Sequence, residues 1–322
     1  TGGTVEYYNL PTTCVLPAQN TYNNLLFTNS TAASYVAQVN NSLTINGNLT
    51  LSRSGTGASD FNFGTGGGHT FTVFKNVTIG QGCRHGISTG TTSAMNFFIH
   101  GDLTVDGQLV MQNGAAYSAT AGRAQITFRG ATTNNTATFN AGALGTLFDV
   151  YVEKNDGHEI FISSSPSATV NFFGSAFTIL PIRGIMRLGA NLNIPRMGNV
   201  GNYDLGSSTL LPVLWIDGAT VVDGGVGGAI VPYGTLKITS GSLTCTNGQR
   251  SVVIRESGLL QIEGGVVNMG LFRTSNQLSI GVHRGSFVMT GGTLNLDGNS
   301  SLSPDYAVFS MAYADNGFSM SG

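Results

Sequence analysis

One short pattern recurs in phase through the last third of the chain. Leu236, Ile238 and Gly241 are followed by Leu260, Ile262 and Gly265, then by Phe287, Met289 and Gly292, and then by Phe318, Met320 and Gly322. A more degenerate copy stands at Leu214, Ile216 and Gly218. The first position of the pattern advances by 22, 24, 27 and 31 residues. Apolar residues two apart define strands with one buried face. A strand of that kind repeated every 20 to 30 residues or so cannot bury its inner face alone and must stack on the next copy. Equivalent residues then lie over one another, Leu236 on Leu260 on Phe287 on Phe318, and Ile238 on Ile262 on Met289 on Met320. The glycines fall at corners where the backbone needs a positive φ or a close approach. The fold expected is all-β, a right-handed parallel β-helix (β-solenoid) of about a dozen turns, at roughly 25 residues per turn. The growing step implies lengthening loops on one face.

A sandwich or propeller of hairpins is the competing architecture. Asn46-Gly47, Asp106-Gly107 and Asn247-Gly248 are dipeptides that make tight hairpin turns. Hairpins, however, have no need of an in-phase repeat. Alternation also pervades the first half, at Leu43–Leu51 and Phe97–Met111, and no stretch carries helical spacing. Between about 140 and 210, Phe172-Phe173-Gly174, Leu180-Pro181-Ile182 and Pro195-Arg196-Met197 break the pattern, which predicts insertions or a bend. Nothing there reads as a linker, so residues 1–322 are taken as a single β-solenoid segment of a longer protein, with no signal peptide at its start.

Charged residues make up 9% of the chain against 41% hydrophobic, where average domains carry about 25% charged. That balance is the opposite of a disordered chain's. A net charge of −2 gives no surplus of cations for phosphates, so no nucleic-acid partner is expected. No apolar run is long enough for a membrane span. Cys14, Cys83 and Cys245 are far apart and lack CxxC spacing, so they are expected to be isolated buried thiols rather than a disulfide or zinc framework.

Chemistry-bearing residues are few. Arg84-His85-Gly86-Ile87-Ser88 contains a His-Gly-Ile-Ser string that resembles the histidine motif of polygalacturonases, but the paired aspartates and the Arg-Ile-Lys of that family are missing. Asp102 with Asp106, and Asp149 with Glu153, are spaced to share an outer strand face. Each pair lacks the further oxygens that calcium requires. The window Glu153–Glu159 reads as a solvated loop tip. Arg183, Arg187 and Arg196 form the one basic cluster, with Asp204 nearby as their expected partner; the cluster reads as a solvated insertion, with contact to an acidic glycan or an anionic partner surface as the alternative. His69, His85, His100, His158 and His283 show no metal-ligand spacing. Ice binding would need Thr-x-Thr ladders in phase, and Thr91-Thr92 does not recur. No catalytic, cofactor-binding or metal-binding residue is therefore assigned, and no cofactor is expected.

The N-terminal stretch carries a resemblance. Gly3-Thr4-Val5-Glu6-Tyr7, Tyr22-Asn23-Asn24-Leu25-Leu26-Phe27 and Ser42-Leu43-Thr44-Ile45-Asn46-Gly47-Asn48-Leu49-Thr50-Leu51 resemble a strand repeat of very large secreted Bacteroidota proteins. Those proteins are similar to filamentous adhesins and leave the cell by the type IX secretion system. The resemblance implies a cell-surface or extracellular location and a non-enzymatic adhesin or stalk serving adhesion or gliding. It implies as partners the secretion apparatus during export, and surface glycans or host and substratum surfaces afterwards. A polysaccharide-degrading enzyme, a polyuronide hydrolase or lyase on the same solenoid, is the alternative.

Overall fold

The computed structural model describes residues 2–17, 19–64, 68–87, 94–112, 122–173, 178–197, 202–223, 229–245, 251–269, 280–282, 285–296, 309–311 and 317–320. Among them the regular structure is strand throughout, with no helix. The strands pair in parallel, as a stacked solenoid requires. An isolated antiparallel bridge joins Gln112 to Arg123. The chain divides into two compact units, Thr1–Tyr151 with Ser163–Phe173, and Val152–Ile162 with Gly174–Gly322.

In the first unit each coil has three faces. The first face is built from Thr4–Tyr8, Asn24–Asn29, Leu49–Arg53, Val77–Ile79, Leu103–Val105 and Asn135–Phe139. The second contains Thr13–Val15, Tyr35–Val39, Ser59–Phe63, Cys83–Ile87, Gln108–Val110, Leu144–Leu147 and Thr169–Phe172. The third contains Thr21–Tyr22, Leu43–Ile45, Thr70–Val73, Ala94–Ile99 and Arg123–Phe128. Because side chains alternate, every second residue points inward and stacks on its counterpart one coil away, at about 4.8 Å. Leu25, Leu49, Val77, Leu103 and Ala137 form one such column, and all are buried. A fully buried aliphatic side chain stabilises by about 1.5–3 kcal/mol, so these columns are the cohesion between coils.

The corners are polar and specific. Asn24 Oδ1 accepts from the Asn48 N–H at 2.9 Å, Asn48 Oδ1 from the Asn76 N–H at 3.1 Å, and Asn76 Oδ1 from the Asp102 N–H at 3.0 Å. Asp102 Oδ1 completes the ladder on the Thr136 N–H at 2.8 Å. Asn29 is fully buried at another corner, where its amide donates to the Ala33, Gly57 and Ala58 carbonyls and accepts from Thr31. Asn46-Gly47 and Asp106-Gly107 lie at coil corners, not in hairpins. A Cβ on Gly107 would strike the Gly80 and Cys83 carbonyls of the neighbouring coil, so close approach explains the residue. Asn247-Gly248 lies outside the described residues.

In the second unit the recurrent pattern pairs as its spacing requires. Leu214 pairs with Leu236, Leu236 with Leu260, Leu260 with Phe287, and Phe287 with Phe318. Ile216, Ile238, Ile262, Met289 and Met320 follow in the same register. The strands Val213–Asp223 and Thr235–Cys245 bend at their glycines, and the buried phase moves from Leu236 and Ile238 to Leu243 and Cys245 across the bend. Gly218, Gly241, Gly265 and Gly292 have φ of 108°, 80°, 71° and 81°. Gly322 lies outside the described residues. A second sheet joins Tyr203–Leu205, Ala229–Pro232, Ser251–Ile254, Ile280–Val282 and Phe309–Met311.

About a dozen coils is the right size. Among the described residues the first-face path takes six strands up to Asn135–Phe139 and seven from Glu159–Ser164 onward. Within 140–210, where insertions or a bend were expected, several described strands keep the coil register. Leu144 to Leu147 pair in unbroken register with Thr169 to Phe172, and Glu159 to Ile162 with Ile185 to Leu188. Pro181 lies within the strand Ile179–Arg183. The division between the units falls in the same stretch.

Candidate functional site

His85 is a core residue. Its strand, Cys83–Ile87, alternates so that the ring points inward and is 0% exposed. The ring stacks on Phe61 at 5.1 Å and meets Phe97 edge-on at 5.0 Å, with Phe63 at 5.2 Å. Nδ1 lies 2.8 Å from the Phe61 carbonyl, which can only accept, so Nδ1 carries the proton and Nε2 is left a bare acceptor without a partner. Burial drives its pKa down to about 4, against a partial rise from the Phe61 bond. A ring sealed in this way cannot reach a polysaccharide, so the His-Gly-Ile string is not a catalytic element; Ser88 lies outside the described residues.

Arg84, its neighbour, points outward. It donates to Asn62 Oδ1 at 2.6 Å and to the Ile87 carbonyl at 3.2 Å, and lies 3.8 Å from Asp60. Burial raises the Asp60 carboxyl above its ordinary range, and Arg84 offsets part of that. Strands paired in register with Cys83–Ile87 contribute one carboxylate, Asp60. A glycosidase needs two.

The remaining carboxylate candidates are structural. Asp102 holds the corner ladder, and Asp106 accepts from Asn140 Nδ2 at 2.6 Å. Asp149 is buried rather than on an outer face. Lys154, in the window expected to be a solvated tip, is 1% exposed. The thiols follow expectation in part: none of the three forms a disulfide, Cys83 and Cys245 are buried, and Cys14 is half-buried. Burial pushes the Cys83 thiol up to about 11. Its inward column also holds Ser59, whose hydroxyl donates to Tyr35 Oη at 2.7 Å.

The basic cluster separates. Arg183 pairs at the surface with Asp156, at 3.1 Å. Arg187 turns to Asp217, not to Asp204, donating through Nε at 2.9 Å and Nη2 at 2.6 Å, with Glu159 at 3.9 Å. It sits in an outward column of the second unit, in which Phe161, Arg187, Trp215, Lys237 and Gln261 pair in successive coils. The guanidinium lies 4.7 Å from the Phe161 ring and 4.2 Å from the Trp215 ring, while Lys237 Nζ lies 4.9 Å from Trp215. Thr239 accepts from the indole N–H at 2.8 Å and donates to Asp217 Oδ1 at 2.7 Å. Lys237 closes on Glu263 at 3.1 Å. Burial works to raise the Asp217 carboxyl, and hydrogen bonds from Thr239, Arg187 and Ser240 outweigh it, so its pKa falls below the usual range.

This column is the densest cluster of functional side chains described, and its chemistry is that of a brace. Arg187 and Lys237 cover Trp215, which leaves little ring face for a sugar to stack on. A carboxylate held ionised by three donors is a poor general acid. The column was legible in principle, because Trp215 and Lys237 occupy the same place between the paired apolar residues of the repeat.

Another outward column was missed. Thr50, Thr78, Thr104 and Thr138 pair in successive coils of the first unit, so threonines do recur in phase, singly per coil rather than as Thr-x-Thr. Among the described residues, no group of three or more His, Cys, Asp and Glu side chains is placed to hold a metal ion. No helix among them is long and apolar enough to cross a membrane. No family model, curated protein or solved structure matches the chain.

Proposed function

We propose that this chain is a non-enzymatic segment of a cell-surface or secreted adhesin or stalk. In this reading it is exported as a type IX secretion cargo of the Bacteroidota kind, makes weak multivalent contacts with surface glycans or a substratum, and serves adhesion or gliding. One observation supports the reading best: carboxylates that could do chemistry are bound into ladders and ion pairs, while outward columns repeat the same small polar group coil after coil. Asp102, Asp106 and Asp217 are engaged in this way, and Thr50, Thr78, Thr104 and Thr138 illustrate the repetition. Repetition converts weak contacts into avidity without a deep pocket.

The polysaccharide-cleaving alternative has Asp60 on its side, since burial raises this carboxyl above its ordinary range beside Arg84, and perturbed carboxyls cluster at functional sites. Among the described strands paired in register with Cys83–Ile87, no second carboxylate joins Asp60. Beads coated with the chain should be retained on immobilised polysaccharides, while the same chain in solution releases no reducing ends and no unsaturated products from them. Catalytic release abolished by Asp60→Asn would overturn the proposal in favour of a hydrolase or lyase, and beads indifferent to every glycan surface would remove the adhesin reading.

A further inference from the structure

The column around Arg187 joins successive coils of the second unit side chain to side chain, in addition to the backbone ladders. Coil by coil it contains Glu159 and Phe161, then Arg187, then Trp215 and Asp217, then Lys237, Thr239 and Ser240, then Glu263. Arg187 reaches both ways. Behind it lie Glu159 at 3.9 Å and the Phe161 ring at 4.7 Å, and ahead of it Asp217 at 2.6 Å and the Trp215 ring at 4.2 Å. Trp215 donates forward to Thr239 at 2.8 Å, while Asp217 accepts from Thr239 at 2.7 Å and from Ser240 at 3.2 Å. Lys237 lies 4.9 Å from the Trp215 ring behind it and 3.1 Å from Glu263 ahead of it. Each coil interface from Glu159 to Glu263 is thus crossed by side chains without a gap.

The column beside it, Ile185, Val213, Thr235, Leu259 and Ser286, pairs in the same register but carries no charge. The ionic side chains of the linked column are 22 to 35% exposed, whereas those of the surface pair Arg183 and Asp156 are 45% and 74% exposed. Partial shielding from water and membership of a network make such pairs stronger than isolated surface pairs. In a stack of coils each coil touches only its neighbours, so a pull along the axis peels a plain stack one coil at a time. The N–H···O bonds between parallel strands run from coil to coil and take that pull directly. A side chain gripped from both sides, as Arg187 and Trp215 are, changes this. Losing one coil then undoes contacts at two interfaces, and the linked coils separate together.

We propose that this column is a tension strap, which makes the coils from Ile185 to Glu263 resist pulling as one block. The assignment deepens the stalk reading and rests on it, because a chain is pulled only when it is anchored at one end and attached at the other. It also accounts for composition. In a chain with 9% charged residues and one tryptophan, that tryptophan stands in a column with Glu159, Arg187, Asp217, Lys237 and Glu263.

The test is single-molecule pulling of the whole chain at constant force, with handles at its two ends. Wild-type traces contain one rupture that releases at least about 26 nm, the extended length of the chain from Ile185 to Glu263. Arg187→Gln splits that rupture into smaller steps and opens the block about tenfold faster, the factor a lost hydrogen-bonded ion pair carries. Arg187→Lys, which keeps the charge but not the planar fork, falls between the two. Arg183→Gln, an equal change of charge at an exposed pair, leaves the rupture whole. Sodium chloride at about 1 M, which screens ion pairs without any mutation, shortens the lifetime of the wild-type block. Coil-by-coil peeling of the wild type, an undivided rupture in Arg187→Gln, or an equal effect of Arg183→Gln would overturn the strap while leaving retention on glycan surfaces intact. Failure of the adhesin reading shows separately, as beads that no glycan surface retains, and does not alter the rupture.

Discussion

Acidification should destabilise this protein through His85, and the size of the effect can be worked from its surroundings. The ring is fully buried among Phe61, Phe63 and Phe97 and titrates at about 4 instead of 6.5. Its folded pKa is depressed, so between those two values the unfolded chain holds a proton that the folded chain refuses. Stability is therefore complete above about pH 6.5 and falls as pH drops toward 4. One pKa unit is worth 1.36 kcal/mol, so the loss from this residue is about 2 kcal/mol by pH 5 and about 3 kcal/mol by pH 4. Other carboxylates titrate over part of the same range, and a variant must separate them. His85→Phe keeps the aromatic stack, gives up one hydrogen bond worth about 1 kcal/mol, and removes the orphaned Nε2, so at pH 7 it should lie within about 1 kcal/mol of the wild type. Urea midpoints followed by circular dichroism from pH 7 to 4 should show the two proteins diverging, the variant becoming the more stable. Parallel curves would refute the claim that a buried neutral imidazole sets the acid limit.

The corner glycines separate two causes of strain. Gly142 and Gly265 have φ of 78° and 71°, but a Cβ on Gly142 meets nothing whereas one on Gly265 lies 2.6 Å from the Gly241 carbonyl oxygen. Gly142→Ala should cost about 1 kcal/mol and Gly265→Ala at least twice that, read from thermal melts. Asn29→Ala removes a donor from the Ala33, Gly57 and Ala58 carbonyls and the acceptor of the Thr31 N–H at a buried corner, and should cost about 3 kcal/mol with faster amide exchange over residues 29–33. Under native conditions an aromatic disulfide reagent should titrate Cys14 first, with Cys83 and Cys245 reacting only as the protein unfolds; rapid reaction of all three would contradict their burial.

Much of the coil was written in residue spacing. The pairs from Leu214 to Phe318 and from Ile216 to Met320, and the corners at Gly241, Gly265 and Gly292, follow from period-two alternation repeated at a drifting step. Polar residues were harder to place. Asp102 and Asp106 were grouped because their spacing puts them on one strand face, but Asp102 belongs to a ladder with Asn24, Asn48 and Asn76, whose members lie a whole coil apart. Arg187 looked like a partner for Asp204 because the two are near in sequence, whereas its coil neighbour is Trp215 and its counter-ion Asp217.

The sequence alone thus determined that this chain winds into stacked parallel coils, since burying an alternating apolar face is a local requirement that every repeat states again. Tertiary structure alone decided what each charged or aromatic side chain does. Coil length varies, so which outward residues become neighbours depends on where each loop returns the chain, and that places Trp215 between two cations, His85 inside the core and Phe74 in the open.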